Sequence, residues 1–265
     1  MSILDDIVAF KKSALEKKKL EVRVKELEKR EFFSREVISL KHSLQDETRP
    51  GIIAEFKRKS PSKGIINDQA DVREVTAAYV KAGASALSIL TDEHFFGGHE
   101  ADLIKARIHE VPILRKDFIL DPYQVIESRA MGADVILLIA SCLNPEQVKE
   151  LAALAKKLEL EVLLELHGED ELDHICNEVD LVGINNRNLK TFEVNIERSL
   201  RMAEKIPAGK PTIAESGISK VENIRLFREH GFRGFLIGEH FMKEKNPGEA
   251  FRKFVEELMA DKLNG

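Results

Sequence analysis

Residues 52–64 read IIAEFKRKSPSKG, and the chain is organised around them. Ile52, Ile53 and Ala54 are apolar and two of the three are β-branched, which predicts a strand. Glu55 and Lys57 stand at its end. Side chains two apart on a strand share a face, so this acid and this base are co-facial beside a segment that reads as buried on both sides. Charges in such a place are costly unless paired or used. A Ser-Pro pair and Gly64 then open the strand into a polar loop. By itself the stretch fits an ion pair at a strand tip as well as it fits one wall of an active site, and the rest of the chain decides.

From Gly51 onward, strand patterns alternate with helix patterns. The strands are expected at Ile52–Phe56, Ala86–Leu90, Ile113–Leu114, Val135–Ala140, Val162–Leu166, Leu181–Ile184, Thr212–Ala214 and Phe235–Ile237. Helices are expected at Val72–Lys81, Asp102–His109, Pro122–Met131, Pro145–Leu158, Asp170–Cys176, Ile196–Lys205, Val221–His230 and Pro247–Met259. The strands are short, apolar on both faces and rich in β-branched residues, as in a parallel sheet covered by helices. Gly83, Gly132 and Gly231 each fall just after a helix and just before a strand, where a left-handed C-cap belongs. Eight such units favour an α/β fold of the (β/α)8 TIM-barrel type over an open doubly wound sheet. No GxGxxG follows the first strand, which also counts against a dinucleotide-binding fold.

Residues 1–50 differ. Ile3, Ile7, Val8, Leu15, Leu20, Val22, Val24 and Leu27 lie in a Lys/Glu-rich background, which predicts an amphipathic helix broken or bent near KKKLEVRV. A second short helix is expected over Arg35–Leu44 with Ser34 as N-cap. An extension this short has no core of its own, so residues 1–45 are expected to bury against the barrel and partly cover its strand-end mouth. The division is therefore a single domain, 1–265, made of a helical extension (1–50) and a barrel (51–265).

At 265 residues the length is normal for one such barrel. A net charge of −5 and a pI near 6.0 give no sign of a nucleic-acid surface. Cys142 and Cys176 stand alone with no CxxC, which argues for a reducing compartment and against a disulfide framework or a cysteine-rich zinc site. No apolar run reaches the length of a membrane span and no signal peptide is visible, so the expected location is the cytoplasm.

In a barrel of this kind the site lies at the C-terminal ends of the strands. Those ends supply Glu55 and Lys57, then Lys116 and Asp117, Glu165 and His167, Asn185 and Arg187, Glu215 with Ser216 and Gly217, and Gly238 with Glu239. Each alone could be a helix cap or a surface ion pair; polar residues at most strand ends, after apolar strand bodies, point to an enzyme. Gly217 and Gly238, after the last two strands, mark where the backbone must approach a ligand closely, and those loops are the usual phosphate site of barrels. Arg187 adds a cation suited to phosphate. Phe95, Phe96 and Phe118 supply apolar walls. No HxH or HExxH occurs, and His42, His109, His174 and His230 fall on expected helices; His167 reads as a hydrogen-bonding neighbour of Glu165, not a metal ligand. These residues predict a barrel enzyme, with no metal or organic cofactor, acting by acid–base chemistry on a small phosphorylated compound. A sugar-phosphate isomerase, a Schiff-base aldolase and a non-catalytic barrel that only binds a phosphorylated ligand remain open at this point.

The motifs IIAEFKRKSPSKG, LTDEHFFGG, LRKDFILDPYQ, GADVILLIAS, EVLLELHGEDEL, VGINNRNL, IAESGIS and LIGEHFM, in this order, resemble those of indole-3-glycerol-phosphate synthase, the tryptophan-pathway lyase. The resemblance spans nearly the whole chain, including the helical extension, and the chain length resembles the monofunctional form. It implies ring closure on an anthranilate-derived 1-deoxyribulose 5-phosphate, with loss of carbon dioxide and water. It also implies roles. Lys116 would be the general acid at the carbonyl oxygen. Lys57 would contact the anthranilate carboxylate and serve dehydration, with Glu55 as its acid–base partner. Glu165 would act near the anilino nitrogen, and Asn185 and Glu215 would position sugar hydroxyls and the lysine network. Ser60, Arg187, Ser216, Gly217, Gly238 and the Glu239 backbone would hold phosphate, while Phe96, Phe118 and Leu137 would pack on the ring. Gly168 departs from the family, which usually has a polar residue there.

Overall fold

The apolar runs read as strands are strands, and they close on themselves. The structure, a computed structural model, describes residues 3–188 and 193–260. Eight strands, β1 (Ile52–Phe56), β2 (Ala86–Leu90), β3 (Ile113–Lys116), β4 (Val135–Ile139), β5 (Glu161–Leu166), β6 (Leu181–Asn185), β7 (Thr212–Glu215) and β8 (Phe232–Ile237), pair in parallel in sequence order. The last closes on the first through the register Ile52–Phe235, Ile53–Leu236 and Ala54–Ile237. This is a TIM barrel.

The strand interiors are buried on both faces, the exposed Arg233 of β8 apart, which is why the runs lack the apolar–polar alternation of a half-exposed sheet. One face of each strand packs under helices and the other fills the barrel, where Ile53, Leu114, Leu137, Leu163, Ile213 and Leu236 meet. Capping residues start the outer helices: Asp71 for α4 (Val72–Lys81), Asp121 for the helix Pro122–Met131 and Asn144 for the helix Pro145–Lys157 accept hydrogen bonds from first-turn N–H groups. Gly83, Gly132 and Gly231 take positive φ at the helix-to-strand joins, as the sequence predicts. Two details differ. The segment around Asp170–Cys176 is a 3-10 turn over Glu169–His174, and the loop after β1 contains a small antiparallel hairpin pairing Lys59–Ser60 with Gly64–Ile65.

The extension divides between the two ends of the barrel. Helix α1 (Ile3–Glu21) breaks before α2 (Val24–Leu27), near the KKKLEVRV segment. The first turns of α1 put Ile3, Leu4 and Ile7 over the C-terminal mouth. The expected helix over Arg35–Leu44 is a correction: it is α3 (Leu40–Gln45), capped by Ser39 and not Ser34. Residues before it are pulled out of helical geometry by barrel carboxylates. Asp134 Oδ1 accepts from Ile38 N at 2.8 Å, and Glu161 Oε2 accepts from Leu40 N at 2.8 Å. Helix α3 then plugs the opposite end, where Leu40 and Leu44 join the interior cluster. Among the described residues of the extension, those that cover the mouth are therefore on α1.

Candidate active site

Barrel register brings together residues remote in sequence. Lys116 ends β3, Asn185 ends β6, Glu215 ends β7, and Glu165 lies one residue from the end of β5. Strands β3 and β7 are diametrically opposed in an eight-stranded barrel, yet the ammonium of Lys116 reaches within 3.5 Å of Glu215 Oε2 and 3.0 Å of Glu165 Oε2. Glu165 Oε1 accepts from Asn185 Nδ2 at 3.0 Å and lies 3.1 Å from His167 Nε2. Lys57 Nζ sits 2.7 Å from Glu55 Oε1. Two glycines make room for these carboxylates: a Cβ at Gly183 would lie 2.1 Å from Glu215 Oε1, and one at Gly238 would lie 2.5 Å from Glu55 Oε1.

Close packing sets the protonation states. Burial opposes charge on Lys116, but Glu165, Glu215 and Glu55 outweigh it and hold the ammonium above the ordinary lysine range. Burial also opposes charge on Glu165, yet Lys116 and His167 hold that carboxyl well below the usual carboxylate range. Glu215 goes the other way: burial and the neighbouring Glu165 push it up to about 8, against the pull of Lys116. One lysine between two carboxyls thus leaves one ionised and the other protonated near neutral pH, two different acid–base groups beside one ammonium.

The residues given catalytic and binding roles from the sequence line one cavity at this mouth, from Glu55, Lys57 and Ser60 through Phe96, Phe118 and Leu137 to Gly238 and Glu239; Phe95, expected as a wall, packs instead against Phe10 and His94, and His167 stands behind Glu165 without lining it. Phe96 and Phe118 face each other at 6.0 Å between ring centroids, on the β2 and β3 side. Ser216 and Gly217 stand opposite, after β7, both with positive φ (66° and 71°). A non-glycine residue in that region is uncommon; here it turns the chain tightly at the cavity wall. Arg187 joins this side, with Nη2 3.7 Å from Glu239 Oε2 and its N–H donating to Asn185 Oδ1. The ion partners of Lys116 are thus Glu165 and Glu215, while Lys57 pairs with Glu55.

Sequence reasoning did not name Ile3, Leu4 and Ile7 as lining residues, although their helical spacing was visible. Nor did it find the charges behind the site. On the outer face of β3, Arg115 Nη2 lies 2.7 Å from Glu127 Oε2 and 3.3 Å from Asp117 Oδ2. Helix α1 adds two lysines: Lys11 reaches Asp117 Oδ1 at 2.5 Å and Asp92 Oδ2 at 3.0 Å, and Lys18 pairs with Glu127. Burial opposes charge on Asp117, but Lys11 and Arg115 prevail and draw its carboxyl down to about 2.

This geometry is an acid–base centre with an aromatic wall on one side. The family model for indole-3-glycerol phosphate synthase matches residues 4–254. The chain belongs to the indole-3-glycerol phosphate synthase family. It is 46% identical over 257 residues to the indole-3-glycerol phosphate synthase of Bacteroides thetaiotaomicron, covering 97% of this chain and 98% of the relative. To that of Salinibacter ruber it is 45% identical over 257 residues, covering 96% and 95%. Its activity is that of the family, a carboxy-lyase reaction (EC 4.1.1.48) of tryptophan biosynthesis. The barrel is also similar to the tryptophan synthase subunit alpha of Legionella pneumophila, with a TM-score of 0.62 and 15% identity over 85% of this chain and 97% of that one; this likeness concerns fold alone. Among the described residues, no helix of this indole-3-glycerol phosphate synthase family member is long and apolar enough to cross a membrane.

Proposed function

We propose that the cavity binds 1-(2-carboxyphenylamino)-1-deoxyribulose 5-phosphate stretched across the barrel mouth and closes its ring by general acid–base catalysis. The ring lies on Phe96, Phe118 and Leu137. The phosphate lies between Gly217 and Gly238–Glu239, with Ser60, Ser216 and Arg187 beside it. The carbonyl between them then falls over the barrel centre, where Lys116 stands. Lys116 gives its proton to that carbonyl oxygen as the ring carbon bonds to the carbonyl carbon. The bond to the ring carboxylate breaks, its electron pair restores the ring, and carbon dioxide leaves. Lys57, with Glu55 as its partner, takes part in the loss of water that completes the indole. Glu165 serves the anilino nitrogen and Asn185 and Glu215 hold the sugar hydroxyls.

The observation that carries this reading is the placement of Lys116 at 3.0 and 3.5 Å from two carboxyls of opposite tendency, at the centre of a mouth with an apolar and a polar side. The ammonium is kept charged until a substrate oxygen arrives. Every proton transfer in the scheme uses a side chain of this protein, so prolonged chelation is expected to leave the rate unchanged. A decisive test compares the product with its dephosphorylated form. Loss of several charge-assisted hydrogen bonds is expected to weaken binding by ~10²-fold. Equal affinities would show that the glycine loops are only turns.

A further inference from the structure

Phe96 and Phe118 follow different strands; Phe118 packs against the barrel-interior cluster, Phe96 does not, and the backbone of both is tied down outside that cluster. Each is held through a carboxylate one to four residues away. Asp92 Oδ1 caps the short helix α5 (Glu93–Phe96), accepting from Phe95 N at 2.7 Å and Phe96 N at 3.1 Å. Asp117 Oδ1 accepts from Phe118 N at 2.8 Å. The two carboxylates belong to neighbouring strands and are both buried. Close together and unneutralised, they would repel and drive the loops apart. One ammonium lies between them: Lys11 Nζ is 3.0 Å from Asp92 Oδ2 and 2.5 Å from Asp117 Oδ1. It comes from outside the barrel, on α1, one turn after Ile7, which lines the same cavity. Its neighbour Phe10 stacks on His94 of α5 at 4.3 Å between ring centroids.

We infer that Lys11 is a positioning residue for the ring-binding wall: by bridging Asp92 and Asp117 it sets the spacing of Phe96 and Phe118. The inference rests on the proposed seating of the aromatic ring against those two side chains. Its chemistry is specific to a compact cation that both carboxylates can share. Arg115 cannot substitute, because it approaches Asp117 from the other side, through Oδ2, and Asp92 is not among its partners. A wall that a flat ring packs on is sensitive to displacements of about an ångström, so the effect belongs to ring affinity and not to phosphate affinity.

The test measures two affinities in each variant, for indole-3-glycerol phosphate by indole fluorescence and for glycerol 3-phosphate by calorimetry, with melting temperature recorded alongside. Lys11→Met is expected to weaken the indole ligand about tenfold while glycerol 3-phosphate changes less than about twofold, the reference being the wild-type chain. Phe10→Ala removes a contact of the same helix with the same loop but leaves both carboxylates neutralised, and is expected to leave ring affinity within about threefold. Equal loss of both ligands in Lys11→Met, or a Phe10→Ala loss as large as that of Lys11→Met, would overturn the assignment in favour of general docking of α1. Phe118→Ala separates the two ideas: if it leaves ring affinity unchanged, the seating of the ring is wrong; if it weakens the ring and Lys11→Met does not, Lys11 has no positioning role. Should Lys11→Met fail to fold, Lys11→Gln carries the same comparison, since it keeps a donor and loses the charge.

Discussion

Strand β3 separates two buried clusters of charge, and they are built on different rules. On its outer face the cations Lys11, Lys18 and Arg115 meet the buried carboxylates Asp92, Asp117 and Glu127, with the part-exposed Glu100 also on Lys18, so cations and buried acids match in number. On its inner face Lys116 and Lys57 meet Glu55, Glu165 and Glu215, and acid is in excess. In the matched cluster Asp117 is drawn far down, and Arg115 is held charged although burial opposes it. The unmatched cluster retains a proton, on Glu215. Alternate residues of one tetrad, Ile113–Lys116, and its successor Asp117 thus serve a fastening on one side and a reaction on the other. Full compensation suits structure, because a satisfied buried charge has nothing left to do. An imbalance keeps one proton mobile, which catalysis needs.

The comparison predicts that the two faces fail differently. Lys116→Met keeps most of the stem and removes the acid. It is expected to lower kcat by ~10²–10⁴-fold or more while melting changes little, because the inner carboxylates can take up protons in its place. Steady-state kinetics check it: near-normal kcat in this variant, with Lys57→Met inactive, would reassign the ring-closing acid. Arg115→Met should do the reverse. It strands Glu127 and Asp117 without their shared partner, at a cost of about 3–5 kcal/mol in denaturant unfolding, with activity at permissive temperature far less affected than in Lys116→Met. An unfolding midpoint equal to wild type would show that the outer cluster is dispensable.

A third variant sharpens the contrast through pH. The Glu215 carboxyl is raised in the folded state, so the folded chain binds more protons than the unfolded chain between the ordinary glutamate value and about 8. Its contribution to stability is full below the ordinary value and is lost as pH rises through the folded one. Glu215→Gln is expected to flatten that part of the melting-temperature profile, and an unchanged slope would place the retained proton elsewhere. The smallest effect belongs to Lys18→Met. Its side chain is 29% exposed and Arg115 still faces Glu127, so a loss of about 1–2 kcal/mol is expected, below that of Arg115→Met.

The inner cluster was legible in the sequence and the outer one largely was not, for a physical reason. Barrel topology sends every strand end to one mouth, so Glu55, Lys116, Glu165, Asn185 and Glu215 could be collected once the strands were recognised. Strand alternation also placed Arg115 and Asp117 opposite Lys116. Their partners are another matter. Lys11 and Lys18 lie on a helix whose docking position no local pattern specifies, and in sequence they read as solvated charges. The same limit explains the second helix. Ser34 and Ser39 are equal as caps, and the choice is made by Asp134 and Glu161, roughly a hundred residues downstream, which bind the backbone of Ile38 and Leu40. Local propensity yields there to hydrogen bonds that exist only in the finished fold.

Helix α3 gives the chain an order of events. Leu44 rests against Gly234 of β8, close enough that a Cβ there would lie 3.0 Å from its Cδ1, and Ile213 of β7 belongs to the same cluster. The stopper of the barrel is therefore made among the first residues and its seat among the last. On a ribosome, which delivers the N-terminus first, Leu40 and Leu44 emerge long before that seat exists. They stay without it until β8 has left the exit tunnel, and only then can the bottom of the barrel be sealed.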